Sequence, residues 1–118
     1  MNAITRKIRR MLIQWGKRGY SATSINCGCC ESFAWELEET FCRDENGKWN
    51  RKGKAIWGED NPSLFKTDVD PTGHCFFGYG DKFYDSESPE GVDTPDELKY
   101  YQRILNLTDE WQPVEYAE

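Results

Sequence analysis

The chain has 118 residues, of which 37% are hydrophobic and 31% are charged, and its formal net charge is −6 at pH 7. A chain of this length forms one domain and buries enough surface to fold without a metal or a disulfide, so we expect a single domain over residues 1–118. Six Phe, six Tyr and five Trp argue against disorder. The apolar runs are too short to span a membrane, and no apolar stretch of the secretory type follows the basic start of the chain.

Cysteine and histidine usage is the unusual feature of the composition, with five Cys against one His. The number of cysteines is odd, and the sequence shows no signal for export. Reduced thiols in a cytoplasmic protein are therefore expected, in place of a disulfide framework. These thiols have three possible uses: burial in the core, metal binding, or nucleophilic chemistry.

Charge is divided unevenly along the chain. Residues 1–54 carry eleven Lys/Arg and six Asp/Glu, whereas residues 55–118 carry four Lys/Arg and fifteen Asp/Glu. The basic groups concentrate in the first eighteen residues, where we expect a solvated helix face that offsets the acidic half. The composition argues against nucleic acid as a partner, since the protein is acidic overall and its basic residues do not alternate with aromatic ones.

Helical periodicity predicts two helices in the first half. The segment 1–20 contains a basic amphipathic helix at about residues 3–18, whose apolar positions are Ile4, Ile8, Met11, Leu12 and Trp15. A Ser/Thr-rich loop should follow. A second helix is predicted from Cys30 to Phe41, with Glu31 in its first turn. Residues 43–54 are predicted to form a loop, and residues 55–73 contain only weak strand candidates.

The second half begins with a predicted β-hairpin. Its strands run from His74 to Tyr79 and from Lys82 to Ser86, and Gly80-Asp81 between them suits a two-residue type II′ turn. Further along, Thr94-Pro95-Asp96-Glu97 has the composition of a capping box at a helix start. The apolar face of that helix is predicted to consist of Leu98, Tyr101, Ile104 and Leu105.

The hairpin places acidic side chains near the histidine. With Gly80-Asp81 as the turn, residue 79 faces residue 82 and residue 74 faces residue 87. Because side chains alternate across a strand, His74 then shares one face with Asp85 and Glu87. Asp85 is its diagonal neighbour, at a Cβ distance of roughly 7 Å, and Glu87 is opposite it. Either carboxylate could hold the imidazole in one tautomer and stabilise its charged form.

The cysteines differ in their predicted positions. Cys30 begins the second helix, where free backbone N–H groups and the helix dipole favour a thiolate. Cys29 is one position off, and Cys27 lies in the preceding loop. Cys42 and Cys75 are predicted to be structural, the latter on the strand face opposite His74.

The segment Asn26-Cys27-Gly28-Cys29-Cys30-Glu31-Ser32-Phe33-Ala34 resembles the start of the catalytic helix in papain-like and transglutaminase-like cysteine enzymes. The hairpin with His74 and Tyr84-Asp85 resembles their His and Asp strands, in the same chain order. The stretch Phe83-Tyr84-Asp85-Ser86-Glu87, with Pro89-Glu90-Gly91-Val92, also resembles small phage-encoded proteins of unassigned activity. The resemblance covers about residues 24–92.

This resemblance implies an α+β fold of minimal papain-like or transglutaminase-like type, with helices packed on a small antiparallel sheet. Residues 24–92 would form the catalytic core, followed by a C-terminal helix and tail over residues 93–118. Cys30 would be the nucleophile, His74 the general base and acid, and Asp85 the orienting group. Asn26 would assist the oxyanion hole, and Glu87 would be a supporting or alternative acid. The implied activity is acyl transfer to water or to an amine, with no cofactor and no metal.

Two other functions stay open at this point. Cys27 and Cys30, with Cys42 and either His74 or Cys75, could bind zinc; the same Cys-x-x-Cys pair could also be redox-active. Alternatively, the fold is catalytically inactive and binds a protein, as a phage-type inhibitor in a host cytoplasm would. In both the enzyme and the inhibitor interpretation the partner is a protein or peptide, and the acidic half favours a cationic one.

Overall fold

The computed structural model describes residues 2–67 and 70–110, so the predicted tail beyond residue 110 lies outside the described part. Within it are four α-helices: α1 (Ala3–Gly16), α2 (Ala22–Ile25), α3 (Cys30–Cys42) and α4 (Lys99–Glu110). The strands β1 (Gly53–Trp57), β2 (Cys75–Tyr79), β3 (Lys82–Asp85) and β4 (Ser88–Val92) form one antiparallel sheet in the order β1-β2-β3-β4. The expectation of an α+β protein with helices packed on a small antiparallel sheet is confirmed. None of the described helices has the length and apolar character needed to cross a membrane.

Helix α1 forms where the apolar periodicity predicts it. The side chain of Asn2 caps its start by accepting a hydrogen bond from the Thr5 N–H at 2.7 Å. The predicted apolar stripe faces the core, and Ile8 is fully buried. On the outer side, Lys7 pairs with Glu36 at 3.2 Å and Arg9 pairs with Glu90. Part of the basic surface of α1 is thus offset by acidic side chains of the same chain.

The loop predicted before α3 is partly helical, which corrects the prediction. Ser21 and Ser24 form a reciprocal capping box around the single turn α2, each side chain bonding the backbone of the other. Capping stabilises a turn of only four residues that has no apolar periodicity of its own. The turn places Cys27, Gly28 and Cys29 directly before α3.

Helix α3 packs across β1 and β2, and this contact brings its first residue, Cys30, against Cys75 at the start of β2. Its buried positions are Cys30, Phe33, Ala34, Leu37, Glu38 and Cys42. One face of the sheet adjoins the core formed with α1 and α3, while the other face carries Phe76 against Leu98 and Tyr101. The sheet is therefore covered on both faces.

The β2–β3 hairpin has the predicted register, with Tyr79 opposite Lys82 and Phe77 opposite Tyr84. Gly80 adopts a φ of +63°, a conformation that glycine occupies without a steric penalty. The second strand, however, ends at Asp85 and not at Ser86. Glu87 consequently lies in the turn before β4, so the predicted pairing of residue 74 with residue 87 is wrong.

Both outer edges of the sheet are partly covered. On β1, the Gly53 carbonyl accepts a hydrogen bond from the Trp49 indole at 2.7 Å, and the Ala55 N–H donates to the Glu38 carboxylate at 2.8 Å. On β4, Pro89 has no N–H to donate, and α1 packs along the strand.

The predicted capping box at Thr94 is present, but it caps the 3-10 turn Pro95–Glu97 and not the helix itself. Helix α4 begins later, at Lys99. Leu98 and Tyr101 are buried as predicted, whereas Ile104 is 40% exposed, so its assignment to the buried face is wrong.

Candidate active site

A buried histidine and aspartate meet at the mouth of the β2–β3 hairpin. His74 directly precedes β2 and Asp85 ends β3, so the short turn brings them together. The His74 Nε2 and the Asp85 Oδ2 are 2.9 Å apart, and the histidine is fully buried. The second oxygen of Asp85 accepts the backbone N–H of Glu87 at 2.9 Å. The carboxylate is thus fixed at both oxygens, which orients the imidazole.

Cys30 lies close enough to the imidazole for the two side chains to shift each other's pKa. Nε2 is bonded to Asp85, and the buried Nδ1 has no hydrogen-bond partner among the described residues. Burial works to raise the pKa of Cys30, but His74 and the backbone N–H groups of Cys75 and Glu31 outweigh burial, and the pKa lies below its usual value. The start of α3 therefore favours ionisation of this thiol relative to a free cysteine.

The imidazole responds in the opposite sense. Burial works to lower the pKa of His74, yet hydrogen bonding to Asp85 and the proximity of Cys30 outweigh it, and the net pKa is raised. The two shifts support each other, because a charge on either group would stabilise the opposite charge on its neighbour. Relative to isolated side chains, both shifts favour the charged forms, which is the direction that nucleophilic use of the thiol requires.

The other cysteines do not take this position. Cys29 is half-buried and packs against the core formed by α1 and α3, while Cys27 is exposed. Cys42 is fully buried at the far end of α3. Cys75 packs beside Cys30, where burial, followed by the charge of Cys30, raises its pKa to about 12. The thiol that the structure brings to His74 is thus Cys30.

Glu87 and Asn26 form a separate network beside the pair. Arg103 donates two hydrogen bonds to the Glu87 carboxylate, at 2.9 and 3.1 Å, and the Asn26 amide donates a third at 3.0 Å. Burial works to raise the pKa of Glu87, but these hydrogen bonds outweigh it and the pKa is lowered. Of the two candidate acids, the one bonded to His74 is Asp85. The Asn26 amide group predicted to assist the oxyanion already donates to Glu87, and its buried oxygen has no partner among the described residues.

Two residues at the site were not predicted from the sequence. The ring of Tyr100 stacks on the imidazole of His74, with centroids 3.8 Å apart and planes 16° from parallel. The Arg103 guanidinium lies 5.6 Å from the centroid of the same tyrosine ring, on α4. Helical periodicity assigned Tyr101 to the core, but it carries no information on which neighbour an adjacent ring will stack against. The signal in the sequence that could have pointed to this stack is the pair of consecutive tyrosines, Tyr100 and Tyr101.

The zinc alternative gains no support. Within residues 2–67 and 70–110 there is no group of three or more His, Cys, Asp or Glu side chains placed to hold a metal ion. Cys27, Cys30 and Cys42 occupy different environments, and a four-ligand site needs convergent side chains.

Comparison with known proteins returned no relative: no protein-family model matches the chain, and neither a curated protein nor a solved structure matches it. The function proposed below therefore depends on the geometry of the site itself. The strongest part of that geometry is the buried hydrogen bond between His74 and Asp85, with the thiol of Cys30 close to the same imidazole.

Proposed function

We propose that this chain is a cysteine-nucleophile acyl-transfer enzyme, an amide or ester hydrolase or transferase with peptidase-like chemistry. Its fold would be a minimal version of the papain-like or transglutaminase-like architecture. The observation that carries the proposal is the hydrogen bond of His74 to the fixed carboxylate of Asp85, together with the proximity of His74 to the Cys30 thiol, whose pKa is lowered. Thiols held in this way are the usual nucleophiles of covalent acyl transfer.

In the proposed reaction, the Cys30 proton resides on His74 and the thiolate attacks the carbonyl carbon of an amide or ester. A carbon–sulfur bond forms, and the carbonyl oxygen becomes an oxyanion. When this intermediate collapses, the amine or alcohol leaves with the proton from His74, and a thioester remains on Cys30. Water or an amine then attacks the thioester while His74 accepts its proton. The second collapse restores the thiol and releases an acid or a new amide.

The start of α3 supplies the oxyanion donor in this scheme. The Cys30 N–H belongs to the first turn of the helix, where backbone donors have no partner within the helix. Such a donor typically contributes about 2.7–4 kcal/mol to the stability of the transition state. Asp85 does not react; it keeps the imidazole in the orientation that the proton transfers require.

The surroundings of the site support a cationic protein or peptide as the substrate. Glu31 directly follows the nucleophile. Glu59 accepts a hydrogen bond of 3.4 Å from the Gly73 N–H, one residue before His74. Charge reversal of these acids, in Glu31→Lys and Glu59→Lys, should shift the preference towards neutral or acidic peptides. An unchanged preference would remove this part of the proposal.

The test of the proposed function is the detection of an acyl-enzyme. The protein is mixed with p-nitrophenyl acetate, and intact-mass and peptide mass spectrometry then locate the acetyl group. We expect a burst of nitrophenolate and acetyl on Cys30. Cys30→Ser should abolish both, while the neighbouring variants Cys27→Ser and Cys29→Ser retain them. Acetylation that is spread over the cysteines, or absent at Cys30, would overturn the proposal.

One observation favours a second candidate function. His74 is fully buried and Cys30 is only 7% exposed, so the site is closed in this conformation. A closed, catalytically inactive fold would act by binding a protein, as a phage-type inhibitor, with basic α1 and the acidic half as its docking faces. Iodoacetamide distinguishes the two candidates. An enzyme should alkylate at Cys30 well below pH 8, whereas an inactive binder should react no faster than a free thiol.

A further inference from the structure

The imidazole of His74 has an aromatic cover that no step of the proposed reaction uses. Tyr100 lies on it almost parallel, at a centroid separation of 3.8 Å. This spacing is that of direct van der Waals contact over the whole ring, in contrast to the edge-on approach of Tyr101, whose centroid is 5.5 Å away. One face of the only histidine is thus closed by one side chain of α4.

Tyr100 is itself held by its neighbours. Its ring meets that of Tyr101 edge-on, at 5.3 Å and 79°. The guanidinium of Arg103 also lies over this ring, 5.6 Å from its centroid, and Glu87 holds that guanidinium through two hydrogen bonds. A chain of contacts therefore runs from the turn after β3, through α4, to the face of His74. Its members leave the tyrosine ring little freedom to leave the stack.

We propose that Tyr100 is a positioning residue for the acyl-transfer site, which holds the plane of the His74 imidazole and shields the Cys30–His74 pair from water. The proposal rests on the proposed function, because it assigns a role to that same site. The negative face of an aromatic ring attracts a cation, so the stack favours the imidazolium over the neutral ring. Exclusion of water strengthens the attraction between imidazolium and thiolate.

Other groups also act on this imidazole, and they are held constant in the test. Asp85 faces it from β3, Cys30 from α3, and Glu87 from the turn after β3. From α4 come Tyr100 and Tyr101. Substitution of Tyr100 alone leaves every charged member of this set in place, so a change in the titration of His74 reports on the ring.

The test uses the full chain and three variants. Tyr100→Phe keeps the ring, Tyr100→Leu keeps an apolar cover without a ring, and Lys99→Ala removes an exposed side chain from the same helix as a control. NMR follows the Hε1 signal of the single histidine against pH, and iodoacetamide measures the reactivity of Cys30. In Tyr100→Leu we expect the His74 pKa to fall by about half a pH unit or more, and alkylation at pH 7 to slow about threefold or more. Tyr100→Phe and Lys99→Ala should match the wild type.

Three results would overturn the proposal. The first is a Tyr100→Leu protein that matches the wild type in both measurements. The second is a Tyr100→Phe protein that loses as much as Tyr100→Leu, which would assign the effect to the hydroxyl. The third is a wild-type Hε1 signal without the upfield ring-current shift that the stack requires, and this measurement is independent of whether Tyr100→Leu folds. The proposed function fails separately, if wild-type Cys30 reacts no faster than a free thiol. In that case the NMR titrations still decide whether Tyr100 acts on the imidazole.

Discussion

Replacement of Asp85 by Asn tests the polarisation of His74 with little change in shape. In the wild type, Oδ2 accepts a charge-assisted hydrogen bond from Nε2 at 2.9 Å in a fully buried position. Asn can still accept from Nε2 but carries no charge. Hydrogen bonds to charged groups contribute about 1.5–3 kcal/mol and neutral ones about 0.5–1.5 kcal/mol, so the imidazolium loses about 1–1.5 kcal/mol. At 1.36 kcal/mol per pH unit, the pKa of His74 should fall by about one unit.

This change should propagate to the thiol. In the wild type, the pKa of Cys30 lies below its ordinary value partly because of His74, so alkylation should stay fast down to that lowered pKa and decline as the pH falls through it. In Asp85→Asn the imidazolium is less populated, the pKa of Cys30 rises, and the decline should move to higher pH. The assay is the rate of iodoacetamide alkylation from pH 5 to pH 9, with an NMR titration of His74. The matched control is Asp93→Asn, which alters an exposed carboxylate paired with Lys82. Identical pH–rate profiles for the wild type and Asp85→Asn would refute this reasoning.

Three further predictions concern stability. In Glu87→Gln, the free energy of unfolding at pH 7 should fall by about 1–2 kcal/mol, since the hydrogen bonds from Arg103 lose their charge assistance. The pKa of Glu87 is lowered, so this stabilisation is present above its ordinary pKa of 4.5 and is lost as the pH falls through the folded-state value. In urea unfolding measured at several pH values, the stabilities of the wild type and Glu87→Gln should therefore converge in acid. A difference that stays constant with pH would contradict this. Gly80→Ala should lower the free energy of unfolding by about 1 kcal/mol, because alanine is strained at the positive φ of this position. The loss comes from the backbone alone, since an added Cβ would meet open space. In the same thermal melts Gly16→Ala should be neutral or stabilising. Finally, a chelator should leave the melting temperature unchanged, and a marked drop would restore the zinc alternative.

The sequence carried enough information to predict the elements that hold the site. The start of α3 follows from apolar periodicity that begins at Cys30. The hairpin follows from Gly80-Asp81 between two runs of alternating residues. Period-two alternation then places His74 and Asp85 on one face, and the structure brings them within hydrogen-bonding distance. These are local signals, in which spacing along the chain determines spacing in the fold.

The missed features depend on contacts between distant parts of the chain or on weak local signals. Strand β4 contains Pro89 and Gly91, which lower strand propensity, and it forms because β3 offers it hydrogen-bonding partners. The segment that starts at Thr94 has the composition of a helix start, yet in the structure its capping box closes a 3-10 turn. The stack of Tyr100 on His74 joins residues 26 positions apart, and no spacing rule selects it. Sequence patterns therefore predicted the helix and hairpin that hold the site better than the Tyr100 ring that covers it.

The partly covered edges of the sheet have a consequence for the protein at high concentration. An exposed strand edge offers a row of donors and acceptors onto which another chain can add as an extra strand. Here Trp49 and Glu38 already occupy two of those groups on β1, and Pro89 interrupts the donors on β4. A second copy would have to break two internal hydrogen bonds, one of them to a buried carboxylate, before it extended the sheet. Growth of the sheet from copy to copy is thereby opposed by the chain's own side chains, and loss of the Glu38 or Trp49 side chain would leave one of these edge groups open to another strand.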